Sequence, residues 1–479
     1  KRKQPSLDET SHMGHYPPES DEGRDSLMVI SPCRLKMIDE FMTANRFSLL
    51  RSPPYTGKTT LGVVLRDYFL ALNHKAVYIS LAGMAGKETR FNENLFQHYW
   101  KERVGHTWDE IIRWTEPTEI IIDEAQIIYG DCAPFFWGDL KELMSTPWEN
   151  ITLRVLLLAT YDPALNSQPS PVHFTNTLGL DALRITSDEF ERLVATFVER
   201  RRALGNEAFG IPTPVKKAIF NLANGHADLC RFALTSMHHM FRDNDSDSAV
   251  NMLRYLASSH FRTALQCTRA FVWTQNWSPT VQESEFLSKI FLSCDSESFC
   301  NVGVDSNPVA KSFFKLGLLT TINHRSLFTA PIMRIVLGHC LFTVSGGSKS
   351  SPAITFDEFV MRTIERMKPS ILSKSLGRGT DQESYLLERT WQMEWYRAAT
   401  SAVPVNATVS PDVGGVFGSV GFLDFYVDGD LCWGVELLRE GDRMKEHRKR
   451  FAQDGEYKNI PLKEWVIIDF RHQSKPITS

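Results

Sequence analysis

The chain has 479 residues, 42% hydrophobic and 23% charged, with a net charge of -4, a balance that provides apolar material for two or three domains. So near-neutral a chain is not a general nucleic-acid binder, and any such role has to sit on a local basic surface. Its eight cysteines are scattered, with no C-x-x-C pair and no zinc-ligand histidines, which argues against a disulfide scaffold or zinc centre, and runs such as Val155 to Ala159 are too short to span a bilayer.

Residues 1–26 are rich in Lys, Pro, Ser, Asp and Glu without apolar periodicity and are expected to form a flexible arm. The opening "KRKQPSLDET" resembles no signal peptide and does not begin with Met, as expected of a processed or trimmed form. From 27 to 185, short apolar runs ("FSLL", "AVYISL", "EIIID", "RVLLLAT") alternate with helical patterns such as Leu61, Val64, Leu65, Tyr68, Phe69 and Leu72, which predicts a parallel sheet with crossover helices. From 186 to 342 the pattern is helical, beginning with "TSDEFERLVATFVERRRALG", and reads as a lid. Within it, Glu283 to Leu319 and the following "LLTTINHRSLFTA" suggest helices closed by a hairpin, as in a winged-helix unit, or a plain helical appendage. The Gly/Ser/Pro-rich stretch at 343–353 is expected to be a linker. Over 354–479, helices around Phe356 to Met367 and Asp381 to Thr400 precede the strand-like runs "VGFLDFYV", "LCWGVELL" and "EWVIIDF". The expected class is a multidomain α/β protein.

The stretch "RSPPYTGKTT" follows the first apolar run. A phosphate-binding loop needs inward backbone N–H groups, a lysine for the β- and γ-phosphates and a hydroxyl for Mg²⁺. Lys58 and Thr59 supply the side chains, Gly57 the close approach, and Pro53 and Thr60 flank the nucleotide. Ser52 stands where the motif has its first glycine, which a serine can do if its φ stays negative. "EIIIDEAQ" puts Asp123 at a strand end, suited to Mg²⁺, with Glu124 beside it to polarise water, and "RVLLLATYD" ends on Thr160, suited to sensing the γ-phosphate. This order resembles P-loop ATPases with an added catalytic glutamate, the branch containing AAA+ and signal-transduction ATPases, which implies ATP and Mg²⁺. By the same resemblance, "NGHADLCRFAL" is similar to the glycine-containing helix start of such lids; His226 and Arg231 either approach the nucleotide or are satisfied surface residues. Arg200, Arg201 and Arg202 read as a solvated helix face, and no arginine finger can be assigned.

The run "GFLDFYVDGDLCWGVELLREGDRMKEHRKRF" carries a second chemistry. With Asp428 to Asp430 as the turn, Val427 pairs with Leu431 and Asp424 faces Gly434. Leu423, Phe425, Val427, Leu431, Trp433, Val435 and Leu437 then share one face, while Asp424 and Glu436 share the other with room for a hydrated divalent ion. Two carboxylates on adjacent strands before a basic segment resemble the PD-(D/E)xK restriction-endonuclease-like fold, which implies Mg²⁺ held by Asp424 and Glu436. The position of that fold's lysine is Leu438 here, so Arg439 or Lys445 would have to take the role, although an arginine is a poor base. His447 lies beside them. Arg443, Lys445, Arg448, Lys449 and Arg450 could track a phosphate backbone or form a solvated basic face. In "ERTWQMEWYRAA", Gln392 or Glu394 matches the helix that often adds a third acidic residue, with Glu388 in competition.

A P-loop ATPase with "DEAQ", a helical lid and the terminal "ELLREGDRMKEHRKRF" together resemble the Crinkler effectors of oomycetes and some fungi. The similarity spans nearly the whole chain from about residue 27; the family's header for secretion and translocation is not visible. The resemblance implies a secreted ATPase-nuclease that enters a host nucleus, damages host DNA and provokes cell death, with host nuclear proteins or further copies of itself as partners and no membrane association.

Overall fold

The computed structural model describes residues 30–472, apart from 86–91, 130–132, 147–152, 162–173, 175, 206–208, 242–248, 269, 275–276, 293–306, 323–324, 343–353, 374–375, 379–383, 387, 405–406, 415–416, 418 and 429–430. The expected arm and linker therefore lie outside the described residues. Among those described, no helix is long and apolar enough to cross a membrane.

Five strands, β1 (Phe47–Arg51), β2 (Lys75–Ser80), β3 (Thr118–Asp123), β4 (Leu153–Ala159) and β5 (Thr177–Leu178), form a parallel sheet in the order β2-β3-β4-β1-β5. Their apolar runs are continuous because helices cover both faces. Every residue of β3 is buried. On one face Leu61, Leu65 and Phe69 of the helix Lys58–Ala71 pack on Leu50, Ile121, Leu156 and Leu158; on the other, Trp100, Trp108, Phe136 and Trp137 pack on Ile120, Ile122, Val155 and Leu157. A parallel sheet aligns its carboxyl ends, so Arg51, Asp123 and Ala159 finish along one edge.

Helices from Ser187–Ala203 to Ser259–Gln266 follow, then Val281–Leu292, Pro308–Lys315, the antiparallel hairpin β6 (Leu319–Ile322) and β7 (Arg325–Phe328), and the helix Pro331–Phe342. After a short hairpin, β8 (Leu376–Arg378) and β9 (Ser384–Leu386), a second sheet has the order β10 (Val409–Val413), β11 (Leu423–Val427), β12 (Trp433–Arg439), β13 (Glu464–Phe470). Its first two pairings are antiparallel and the last is parallel, with the helix Met444–Arg450 in the β12–β13 crossover. The helix expected to begin near Asp381 begins at Glu388, because Ser384–Leu386 pairs as β9.

The helical region and the second sheet share one core. Phe261, Phe313 and Val336 belong to the same buried cluster as Phe417, Leu423, Tyr426 and Tyr457. Phe425, Val427, Trp433, Val435 and Leu437 face a separate core with Phe359, Trp395 and Tyr396, as the alternation predicts, whereas Leu423 leaves that face for the shared core.

The β11–β12 register differs from the expected one by two residues: Val427 pairs with Trp433 and Tyr426 with Gly434. The cause lies at the turn. Asp428 is drawn into the contact between domains, where it accepts from the Ser259 N–H at 2.9 Å and the Thr408 N–H at 2.5 Å, and Cys432 turns with a φ of 53°. A shift of two preserves the faces of both strands.

One carboxylate joins the first helix to the lid. Glu189 accepts from the Ser31 N–H (2.8 Å), from Arg34 Nη2 (2.5 Å) and from the Thr186 N–H (2.8 Å), the last completing a capping box on Ser187–Ala203. Burial alone would raise its pKa, but the Arg34 guanidinium and these N–H groups hold it at about 2. A depressed carboxylate contributes its stability above its unfolded value and loses it as the pH falls through the folded one. Glu189→Gln is expected to cost about 3–5 kcal/mol at neutral pH, as when one partner of a buried pair is removed, and to remove part of the loss of stability between about pH 4.5 and pH 2. Urea unfolding across that range tests this; equal curves for both proteins would refute it.

Candidate functional sites

Between β1 and the helix Lys58–Ala71 the chain closes a tight loop. Ser52 N–H donates to the Ala159 carbonyl at 3.0 Å, Ser52 Oγ lies 2.8 Å from Thr56 Oγ1, and Thr56 Oγ1 donates to the Pro53 carbonyl at 2.8 Å. The positive φ angles of this loop fall on Tyr55 (65°) and Gly57 (96°), which is why a serine is tolerated at its start. Among the described residues, leaving aside its chain neighbours, no atom lies within 4 Å of where a Gly57 Cβ would sit, so that face is open to a ligand. Lys58 is 5% exposed and donates to the Ser52 and Pro53 carbonyls, both at 2.8 Å. Burial lowers its pKa to about 8, against the opposing pull of Glu124 and Asp123.

The ends of β3 and β4 meet this loop. Thr59 Oγ1 donates to Asp123 Oδ2 at 2.7 Å, so the hydroxyl and carboxylate expected to share Mg²⁺ are already together. Thr60 lies in the first turn of the helix. Two neighbours escaped the sequence reading: Tyr78 Oη donates to Asp123 Oδ2 at 3.1 Å, and the Gln126 amide bridges Glu124 and the Thr160 N–H, the latter at 3.1 Å. Gln126 thus ties the water-polarising position to the sensing position, and Glu124 takes the left-handed φ of 57° beside them. The last letter of "DEAQ" was the available signal. The amino-terminal domain is a parallel sheet whose first strand leads through a phosphate-loop-like turn into the helix Lys58–Ala71. Lys58 with Thr59 and Asp123 fit a nucleotide phosphate and a divalent ion respectively.

His226 is no surface residue. It is 1% exposed, its Nδ1 faces the Leu229 N–H at 3.4 Å, and its Nε2 is buried with no partner among the described residues. Burial, then Arg184 and Lys58, lower its pKa to about 3, so it is neutral. Arg231 is half-buried. Arg201 lies over the Phe197 ring at 5.0 Å and Arg202 Nε donates to the Phe209 carbonyl at 3.0 Å, while Arg200 is exposed.

In the second sheet Asp424 and Glu436 take separate partners. Asp424 accepts from the Leu437 N–H at 2.7 Å and from Gln392 Nε2 at 3.0 Å. Glu436, 2% exposed, receives His447 Nδ1 at 2.7 Å, Arg450 Nη1 at 3.0 Å and Tyr457 Oη at 2.9 and 3.0 Å. Gly434 pairs with Tyr426 rather than facing Asp424, and the same register continued by one step sets Asp424 opposite Glu436. Among the described residues no group of three or more His, Cys, Asp or Glu side chains could hold a metal ion. Glu394 is buried on Arg397 (2.6 Å) and the Lys368 N–H (2.5 Å), apart from the partners of Asp424; Gln392 is the helix residue that meets Asp424, and it also approaches Glu388 at 3.4 Å. Leu438 is 4% exposed, Arg439 is half-buried at the end of β12, and Arg443, Lys445, Arg448 and Lys449 are exposed. Tyr457, missed in the sequence, carries no motif around it. Burial and the Glu436 carboxylate raise its pKa, so it is a neutral O–H donor.

No protein-family model and no curated protein matches the chain. Among solved structures, a Walker-type ATPase of Pyrococcus abyssi is similar over 68% of this chain and 99% of its own, at 13% identity and a TM-score of 0.40. The Aeropyrum pernix ORC2 protein is similar over 64% and 92% (14% identity, TM-score 0.36), and the Thermotoga maritima RuvB Holliday junction branch migration motor over 63% and 92% (14%, 0.32).

The charged form of Lys58 is the one that attracts phosphate. Affinity for ATP is therefore expected to fall by up to about tenfold per pH unit once the pH passes about 8. Titration with a fluorescent ATP analogue checks this; constant affinity well beyond that pH would remove Lys58 from the binding set.

Proposed function

We propose that the chain is an ATPase whose nucleotide state controls a nucleic-acid-cleaving carboxyl-terminal domain, a Crinkler-type effector acting on host DNA. The carrying observation is a packed path from the phosphate loop to Asp424. Gly317 lies so close to the loop that an added Cβ would sit 2.5 Å from Pro54 Cδ and 2.9 Å from Pro53 Cβ. Its carbonyl accepts from Thr329 Oγ1 at 2.6 Å, just before the helix Pro331–Phe342. Arg334 of that helix contacts Met393 of the helix Glu388–Ala402, and Phe328 and Phe342 pack on the core containing Trp395. One residue before Met393, Gln392 holds Asp424. A change at Pro53 or Pro54 on binding or hydrolysing ATP therefore meets a contiguous chain of packed groups ending on the acid.

In the ATPase site Lys58 would hold the β- and γ-phosphates, Thr59 and Asp123 would hold Mg²⁺, and Glu124, oriented by Gln126, would polarise the attacking water. The ion supplies charge neutralisation on the phosphate oxygens. In the second site Asp424 and Glu436 would be the residues to hold a divalent ion, Glu436 being already engaged by His447 and Arg450, and no step is derived through a metal there. With Nδ1 on Glu436, His447 keeps Nε2 to take a proton from water as its oxygen attacks phosphorus and the phosphorus–oxygen ester bond breaks; the leaving oxygen takes a proton from solvent. The reading places the protein in a host nucleus after secretion, with host nuclear proteins or other copies of the chain as further partners.

The buried Leu438 in the lysine position and the engaged Glu436 favour a second reading, a nucleotide switch whose last domain binds DNA without cutting it. Nicking of supercoiled plasmid with Mg²⁺, with and without ATP, separates the two. Nuclease function predicts losses of about 10²–10⁴-fold in Asp424→Ala and His447→Ala. Lys58→Ala should abolish ATP hydrolysis and the ATP dependence of nicking, and Gly317→Leu should uncouple nicking from ATP. No nicking from a protein that still hydrolyses ATP would establish the switch.

A further inference from the structure

The turn before β11 exposes an aromatic ring. Phe422 is 63% exposed and Val420 is 88% exposed, two and four residues before Asp424. Their backbone is fixed: a Cβ on Gly414 would lie 2.0 Å from the Gly421 carbonyl oxygen, and one on Gly421 would lie 2.4 Å from Glu456 Oε2 and 3.1 Å from Tyr457 Cε1. The Phe422 carbonyl accepts from Tyr457 Oη at 2.7 Å, the same hydroxyl that faces Glu436 and, at 3.3 Å, Arg450 Nη1. One hydroxyl thus joins the ring's backbone to the helix Met444–Arg450, around which Arg443, Lys445, Arg448 and Lys449 are exposed.

An exposed aromatic ring costs solvation unless something flat and apolar covers it. With that basic helix joined to the ring's backbone through Tyr457, the occupant that offers both a flat apolar face and anionic charge is a nucleotide whose base is out of its stack. A base in an intact duplex offers only its edge, and the ring could not lie on it. We propose that Phe422 is a stacking platform for an unpaired base, so that the last domain takes single-stranded or locally opened DNA in preference to intact duplex. This rests on the nucleic-acid reading above and specifies its substrate.

The test is fluorescence anisotropy of the full chain, in EDTA to prevent cleavage, with a labelled single-stranded DNA oligonucleotide and its duplex. Phe422→Ala is expected to weaken single-strand binding about 5- to 100-fold, as for a lost base–aromatic stack, while leaving the duplex affinity unchanged. Phe422→Trp should restore single-strand binding. Lys445→Ala should weaken both ligands and flatten their salt dependence. Equal effects of Phe422→Ala on both ligands, or none on either, would overturn the stacking role while leaving nucleic-acid binding intact. Wild-type protein that binds neither oligonucleotide would overturn both, and the ring would then serve a protein contact.

Discussion

A buried ammonium with two carbonyl oxygens for partners governs the amino-terminal domain. Lys58 cannot leave its loop without exposing the Ser52 and Pro53 carbonyls, and it cannot stay charged at no cost, because burial lowers its pKa. A phosphate arriving at the same nitrogen replaces weak dipoles with full negative charge. The loop closes without its customary first glycine because the left-handed angles fall on Tyr55 and Gly57, while the Ser52 and Thr56 hydroxyls hold the turn. What surrounds the loop follows from this closure: the Thr59–Asp123 pair on one side, and Pro53 and Pro54 against Gly317 on the other.

That second contact ties the loop to the helical region as closely as its chemistry ties it to the sheet. Gly317 has a φ of 78°, a conformation that side chains rarely adopt, and it has no space for one. Both conditions serve the approach to the loop. Further along, the helical region and the last sheet share a core, and Asp428 and Arg262 fasten its edge through Thr408. Packed cores switch between discrete arrangements rather than deforming smoothly, so on the proposed coupling a displacement of Gly317 would pass through packed groups to the helix that carries Gln392.

The legible parts of the sequence were those where one local rule decides the outcome. The parallel sheet could be read because strands buried on both faces are continuously apolar, and the meeting of Thr59 with Asp123 because the first helix turn and the end of β3 lie at the same end of such a sheet. β5 has two residues and β10 contains Pro411, so neither gives a strand pattern. Gln126 and Tyr78 act through contacts made only when the strand ends align. The faces of β11 and β12 were legible and their register was not, because Asp428 answers to Ser259, 169 positions away, rather than to its own turn.

The separate partners of Asp424 and Glu436 explain how Leu438 can stand where a lysine was expected. A lysine there would add a charge to a position that is 4% exposed, beside a carboxylate already neutralised by Arg450 and hydrogen-bonded to Tyr457 and His447. With Glu436 already paired with Arg450, a lysine there would gain less from that acid to offset its desolvation. Leucine is the residue the packing favours once the crossover helix brings histidine and arginine to the acid. On the nuclease reading proposed above, the cationic role would fall to that helix and the proton-accepting role to the imidazole that Glu436 orients.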